Sequence, residues 1–373
     1  MVYVNRRQWV GIGANALVGS SLTGRLLGAV VDNNFEKASA VLRKATDSGQ
    51  VRAAAIYARC HGDKVSEVFG AAKSTSASFL LGSISKPISV AALMVLFDQQ
   101  KFALDDLVCK YIPEFTGQSR QLVTIRQLLT HVSGLPDQLP NNAELRSAHA
   151  PLADFVKSAI GVPLGFAPGT RYEYSSMAIL LAAEIAQRLA DQAFPQFVSE
   201  TVLKPLDMQH SALGLGSLSA SDVMSAQVEF GAAESGGGSP ESRGWDWNSD
   251  YWRRLAAPWG GAHASAEDVA KFLDSFTSAQ VKFLRPETAA LMIRNHNPAK
   301  LESRGLGFDV GMEAYCPGCS VQTYGHTGST GTIAWADPQR DRMCVVLTTL
   351  PARAVDNAQH PRQLSSNHIC SAS

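Results

Sequence analysis

The chain has 373 residues, 45% of them hydrophobic and 18% charged, with 33 basic residues against 33 acidic ones. That is enough apolar material for a large core, which excludes a disordered chain, and the zero net charge removes the usual electrostatic basis for holding nucleic acid or an anionic membrane surface. No apolar run is long enough to read as a membrane-spanning helix, so the expected partner is a small, neutral or mildly charged molecule; oligomeric state is left open.

At the start, Arg6-Arg7 precedes a mildly apolar, glycine-containing stretch that ends Leu27-Gly28-Ala29. A twin-arginine pair in that setting predicts a Tat-type export signal over residues 1–29 and a periplasmic or secreted protein. The alternative is a fortuitous basic start to a short helix in a cytoplasmic protein. Helical spacing follows over 35–44, then strands over 51–58 and 65–71, joined by the turn signal His61-Gly62-Asp63. Next, Gly82 and Ser83 read as a helix start, Pro87 suits a first turn, and Val90, Leu93, Met94 and Phe97 recur at helical spacing. Ser83 and Lys86 are three residues apart, so they share one face of that turn and the amine can reach the hydroxyl. A helix N-terminus also favours negative charge on Ser83. Lysine acts as a base only when neutral, which requires burial or neighbouring cations. Taken alone, the spacing equally fits a capping serine beside a solvated lysine.

Further helices are predicted over 124–131, with Thr124 as cap and Gly134 as stop, over 151–159 and over 176–189. Residues 217–254 lose regular periodicity and carry Trp245, Trp247, Tyr251 and Trp252, which predicts a long loop bordering a site. Helices over 266–276 and 286–293 precede strands over 307–311, 332–336 and 343–350. Strands near both ends around a helical middle predict an α+β fold whose antiparallel sheet is built from both chain ends and flanked by helices. Of the six cysteines, Cys60, Cys109, Cys344 and Cys370 stand isolated, while Cys316-Pro-Gly-Cys319 marks a tight turn. Turn thiols are the first expectation there and a local disulfide the second. A metal comes third, because no second ligand pair stands at recognisable spacing.

Three further stretches complete a set: Leu128-Leu129-Thr130-His131-Val132-Ser133-Gly134, then Tyr172-Glu173-Tyr174-Ser175-Ser176, then Gly325-His326-Thr327-Gly328-Ser329-Thr330-Gly331. With Ser83-Ile84-Ser85-Lys86 they resemble the serine hydrolases related to class C β-lactamases. That group includes D-Ala-D-Ala carboxypeptidases, family VIII carboxylesterases, aminopeptidases and acyl transferases. The resemblance implies the β-lactamase and penicillin-binding-protein fold over about 30–373, with a sheet lobe at about 35–82 and 258–350 and a mostly helical lobe at about 83–257. It implies no cofactor and no metal. It also implies Ser83 as nucleophile, Lys86 as adjacent base and Tyr174 as proton shuttle, with the backbone N–H groups of Ser83 and Ser329 as oxyanion hole. Ser176, His326, Thr327 and Gly328 would touch substrate, and His131 would be structural. The competing Ser-His-Asp hydrolases would show Gly-x-Ser-x-Gly, which does not occur in this chain.

Two departures bear on the substrate. Ser176 stands where the β-lactamases of the group have asparagine, and His326 where they have lysine. Both changes weaken a β-lactamase or D-amino-acid peptidase reading and favour small neutral esters. A penicillin-binding or sensing protein with poor turnover is a further alternative. A histidine of ordinary pKa would leave the site without a fixed cation for a substrate carboxylate. After Pro351 the chain is short and polar, where relatives finish with a long helix on the sheet.

Overall fold

The computed structural model describes residues 19–277, 283–311 and 315–371. Helix α1 (Gly19–Asp47) leads into the hairpin of β1 (Ala53–Cys60) and β2 (Asp63–Gly70), whose turn places His61 and Gly62 at positive φ. Strand β3 (Ser78–Leu80) runs through a single 3₁₀ turn into α2 (Ser85–Asp98). The helical middle contains α3 (Ile125–Leu129), α4 (Asn142–Ser147), α5 (Leu152–Gly161), α6 (Ser176–Ala190) and α7 (Phe194–Val198). Short strands β4 (Ala212–Leu213) and β5 (Val223–Met224) precede α8 (Asp250–Leu255) and β6 (Ala262–Ala264). Helices α9 (Ala266–Asp274) and α10 (Pro286–Met292) lead to β7 (Asp309–Val310), β8 (Tyr324–Gly328), β9 (Thr332–Asp337) and β10 (Arg342–Thr348), and α11 (Pro361–Cys370) closes the fold.

The main sheet has the order β2-β1-β10-β9-β8-β7 and every pairing in it is antiparallel, so both chain ends do build it. A second, four-stranded sheet (β4-β6-β3-β5) was not foreseen, because its strands are two or three residues long and carry no alternation to read. In β10 the period of two sends Met343, Val345 and Leu347 into the large core beneath α2, α6 and α9. Cys344 and Val346 go instead to a smaller core under α1 and α11. Helix α2 is apolar on all sides and buried from Ser85 to Met94, which makes it the axis of the molecule.

Several expectations need correction. Helix α3 begins as predicted, with Thr124 and Gln127 forming a reciprocal capping box, a feature that contributes about 1 kcal/mol. It ends before Gly134, and His131 takes the left-handed conformation (φ 59°). The terminal segment after Pro351 does form a covering helix. Helix α11 reads as polar because its buried serines are satisfied: Trp335 Nε1 donates to Ser366 Oγ (2.8 Å) and Ser365 Oγ donates to Ala38 O (3.0 Å). Cys316 is bonded to Cys370, 54 residues away, and not to Cys319. Cys319 remains a buried thiol 3.5 Å from Cys370 Sγ, and burial pushes its pKa up. The aromatic stretch does not border the cleft described below. Trp247 and Trp252 are buried in the large core, and the Arg146 guanidinium lies 4.1 Å over Trp252. The Arg6-Arg7 pair lies outside the described residues, and α1 runs continuously across Ala29.

Candidate active site

The site begins with a close approach of backbones. Gly82 is left-handed (φ 57°), and a Cβ there would lie 2.9 Å from Thr330 Oγ1 and 3.2 Å from Ser329 N. A Cβ on Gly328 would overlap Leu81 O. Only glycine at both positions lets the end of β8 settle against the turn that opens α2. Thr330 Oγ1 and Thr332 Oγ1 then stitch the two together, donating to Leu80 O and Leu81 O, each at 2.7 Å. Ser83 and Ser329 are thereby brought to the wall of one cleft of about 1470 Å³.

Lys86 lies directly behind Ser83 with no exposed surface. Its Nζ is 3.0 Å from Ser83 Oγ and 3.0 Å from Trp259 O. Burial, helped by the Arg304 charge and opposed by Asp137, lowers its pKa to about 7. A neutral amine is therefore accessible near neutral pH, and an ammonium solvated at the surface is excluded by its burial. Tyr174 sits across from it, with Lys86 Nζ 4.6 Å from the ring centroid, and its phenol hydrogen-bonds Ser83. Burial pushes the Tyr174 pKa up more strongly than Arg304 and the Ser83 hydrogen bond pull it down. Burial thus favours the protonated phenol.

Tyr174 is aimed by the start of α6. Ser175 caps that helix and its N–H donates to His131 Nδ1 (3.1 Å), whose ring packs 4.6 Å from the Tyr174 ring. Burial, with the charges of Arg304 and Lys86, holds the His131 pKa well below its usual value. Ser176 is not among the cleft-lining residues. Its N–H and hydroxyl both donate to Asp137 Oδ1 (2.9 and 2.6 Å), so the hydroxyl proton is held by Asp137 rather than turned to the cleft.

His326, Thr327 and Gly328 line the cleft. His326 Nδ1 is 2.6 Å from Thr327 O, and Nε2 is 2.7 Å from Arg304 Nη2. An arginine can only donate, so Nε2 accepts and Nδ1 carries the proton of a neutral ring. Burial, then Arg304 and Lys86, keep its pKa well below the ordinary range. Arg304 is the residue that the sequence reading missed. It is 2% exposed, lines the cleft, pairs with Asp309, and sits 5.5 Å over the Tyr174 ring. The expectation of a site without a fixed cation is therefore wrong. An arginine and an aspartate five residues apart across the turn Gly305-Leu306-Gly307 was the available signal, but charged pairs at that spacing are common on surfaces.

A sequence profile described as Beta-lactamase matches residues 33–366. The chain belongs to the β-lactamase family. Within it, the chain is 30% identical over 142 residues to the Protein flp of Staphylococcus aureus (strain MW2), a match that covers 37% of this chain and only 28% of that relative. A protein of Escherichia coli O157:H7, whose name provisionally assigns it as a D-alanyl-D-alanine carboxypeptidase, is 24% identical over 310 residues, or 74% of this chain and 70% of its own length. Among solved structures, EstCE1, a hydrolase with promiscuous acyltransferase activity, superposes with a TM-score of 0.74 at 21% identity, covering 91% of this chain and 99% of its own. A family VIII carboxylesterase does so with a TM-score of 0.73 at 18% identity, covering 90% and 97%. At those identities the superpositions establish the fold: helices and antiparallel sheets of the β-lactamase and penicillin-binding-protein kind.

The one metal-ligand cluster among the described residues is Cys316, Cys319 and Cys370, at the far side of the sheet under α11. Two of its sulfurs are bonded to each other, which leaves a single thiol to offer.

Proposed function

We propose that this β-lactamase-fold serine hydrolase is a carboxylesterase acting on small neutral esters through an acyl-enzyme on Ser83. One observation carries the reading: Ser83 Oγ stands 3.0 Å from a wholly buried lysine amine whose pKa is brought to about 7. Neutral Lys86 takes the hydroxyl proton as Oγ attacks the ester carbonyl. The oxyanion accepts hydrogen bonds from the N–H groups of Ser83 and Ser329. Protonated Tyr174, in contact with Ser83, hands its proton to the departing alkoxide and recovers one by way of Lys86. Water then repeats the sequence on the acyl-enzyme.

Neutral substrates are favoured because the cleft's fixed cation is already matched: Arg304 faces the Asp309 carboxylate and caps a neutral histidine. The same guanidinium supports a second reading, a hydrolase of carboxylate-bearing D-alanyl peptides or β-lactams. Purified protein assayed on short-chain nitrophenyl esters, nitrocefin and D-alanyl peptides separates these. Esters should be turned over many times per enzyme and nitrocefin poorly. Faster nitrocefin hydrolysis than any ester would overturn the esterase reading, and a single turnover on every substrate would make the protein a sensor. The Arg6-Arg7 segment is proposed as an export signal. Replacing both residues by lysine should then hold full-length precursor in the cytoplasm, and a mature native protein beginning at Met1 would refute it.

A further inference from the structure

Arg362, on α11, is 5% exposed and lies at the back of the cleft wall. Its Nη1 donates both to Gly328 O and to Thr332 O (2.9 Å), and its Nη2 donates to Asn357 Oδ1 (3.1 Å). Among the described residues no carboxylate pairs with it, and burial alone draws its pKa down to about 10. It is thus a buried cation spent entirely on neutral oxygens. Those oxygens are particular ones. Gly328 C=O and Ser329 N–H belong to the same peptide unit. A cation on the carbonyl draws electron density from the amide and makes its N–H a stronger donor, the cooperative effect seen along hydrogen-bond chains. The neighbouring carbonyls of the turn are also held from behind. Ala352 N donates to Ser329 O (2.9 Å), and Thr348 Oγ1 donates to Gly331 O (2.8 Å). With its carbonyls turned to the rear, the turn keeps the Ser329 N–H beside Gly82, on the cleft side.

We propose that Arg362 is a positioning residue for the oxyanion hole: through Gly328 O it orients and polarises the peptide whose N–H, that of Ser329, receives the developing oxyanion. The inference rests on the acyl-enzyme reading above. Removing an oxyanion donor outright costs about 10²–10³ in kcat, so weakening one should cost less, about ten- to a hundredfold.

The experiment compares Arg362→Gln, Arg362→Lys and Asn357→Asp using 4-nitrophenyl acetate labelled with ¹³C at the carbonyl. It reads the acylation rate, KM and the infrared stretch of the acyl-enzyme carbonyl. Arg362→Gln should slow acylation about ten- to a hundredfold with KM within about twofold, and move the carbonyl band to higher frequency as the hydrogen bond weakens. Arg362→Lys should recover part of both. Asn357 is exposed on a short 3₁₀ turn, so Asn357→Asp keeps Arg362 in place while giving it a carboxylate, and it should shift both readings the same way by less. Unaltered acylation and an unshifted band in Arg362→Gln overturn the inference. Should that variant fail to fold, the same two results in Asn357→Asp overturn it. Ser83→Ala distinguishes the failures: if it still turns over the ester, the acyl-enzyme reading falls and not the role of Arg362 alone.

Discussion

Two buried basic side chains stand at the same cleft, Lys86 behind Ser83 and Arg304 in the lining, and they have opposite chemistry. Lys86, on the central helix, touches only neutral oxygens, those of Ser83 and Trp259. With water excluded and no carboxylate in contact, its charged form is costly, and the proton is given up near neutrality. Arg304, behind the sheet edge, lies against Asp309 and keeps its charge inside an ion pair. Burial by itself therefore does not decide whether a basic side chain becomes a base or an anchor. The partner and the side chain's own basicity decide together, since Arg362 stays charged among neutral oxygens with a pKa of about 10.

The comparison breaks most sharply at Lys86. Lys86→Arg puts a cation that does not yield its proton behind the nucleophile, and kcat should fall by about 10²–10⁴, with Ser83→Ala abolishing turnover and fluorophosphonate labelling together. Labelling that persists at Ser133 or Ser329 in the alanine variant would move the nucleophile elsewhere. Tyr174→Phe should cost on the order of 10²-fold in kcat. Combined with Lys86→Ala, the losses should fall short of the product, since both side chains serve one proton path. A normal kcat in the phenylalanine variant would remove Tyr174 from that path. On the other side, Asp309→Asn leaves Arg304 unpaired, and the ratio of kcat/KM should shift from neutral esters toward nitrocefin by about tenfold, the scale of one charge-assisted hydrogen bond. An unchanged ratio would mean that the guanidinium never meets substrate. The smallest effect is on pH. A base with a pKa of about 7 works only when deprotonated, so kcat/KM should rise through pH about 7 and level off above it. In Asp309→Asn the midpoint should move to lower pH, because the unbalanced Arg304 charge further disfavours the ammonium.

Much of this was legible in the chain. The hairpin of β1 and β2, strands β9 and β10, the capped helices and the convergence of Ser83, Lys86, Tyr174, His326 and Ser329 follow from local spacing or from motifs in fixed order, whereas β8, whose glycines read as a turn, is not among the predicted strands. Local spacing could not reveal what depends on distant partners. Arg304 had no helical or strand period around it, Cys370 met Cys316 only through the docking of α11, and the serines of α11 hid a buried helix behind a polar composition. Ser176 marks the opposite limit. Its position in the motif was read well, but its hydroxyl was already taken by Asp137, which no spacing announces.

The sheet that joins the two ends of the chain sets the order in which the protein can become active during synthesis. Ala53 N donates to Thr349 Oγ1 across 296 residues, and the turn bearing Ser83 is completed only by Gly328, Thr330 and Thr332. Ser83 leaves the ribosome some 250 residues before those partners; Thr330 Oγ1 and Leu80 O are 250 apart. Such distant pairings close slowly, because the loop entropy must be overcome before any contact rewards it. Until then Ser83 is an ordinary alcohol on an unfinished helix, with no Ser329 N–H to receive an oxyanion. If Ser83 is the nucleophile proposed above, the nascent chain is protected from premature acylation, and reactivity would be switched on by the same late strands that complete the fold.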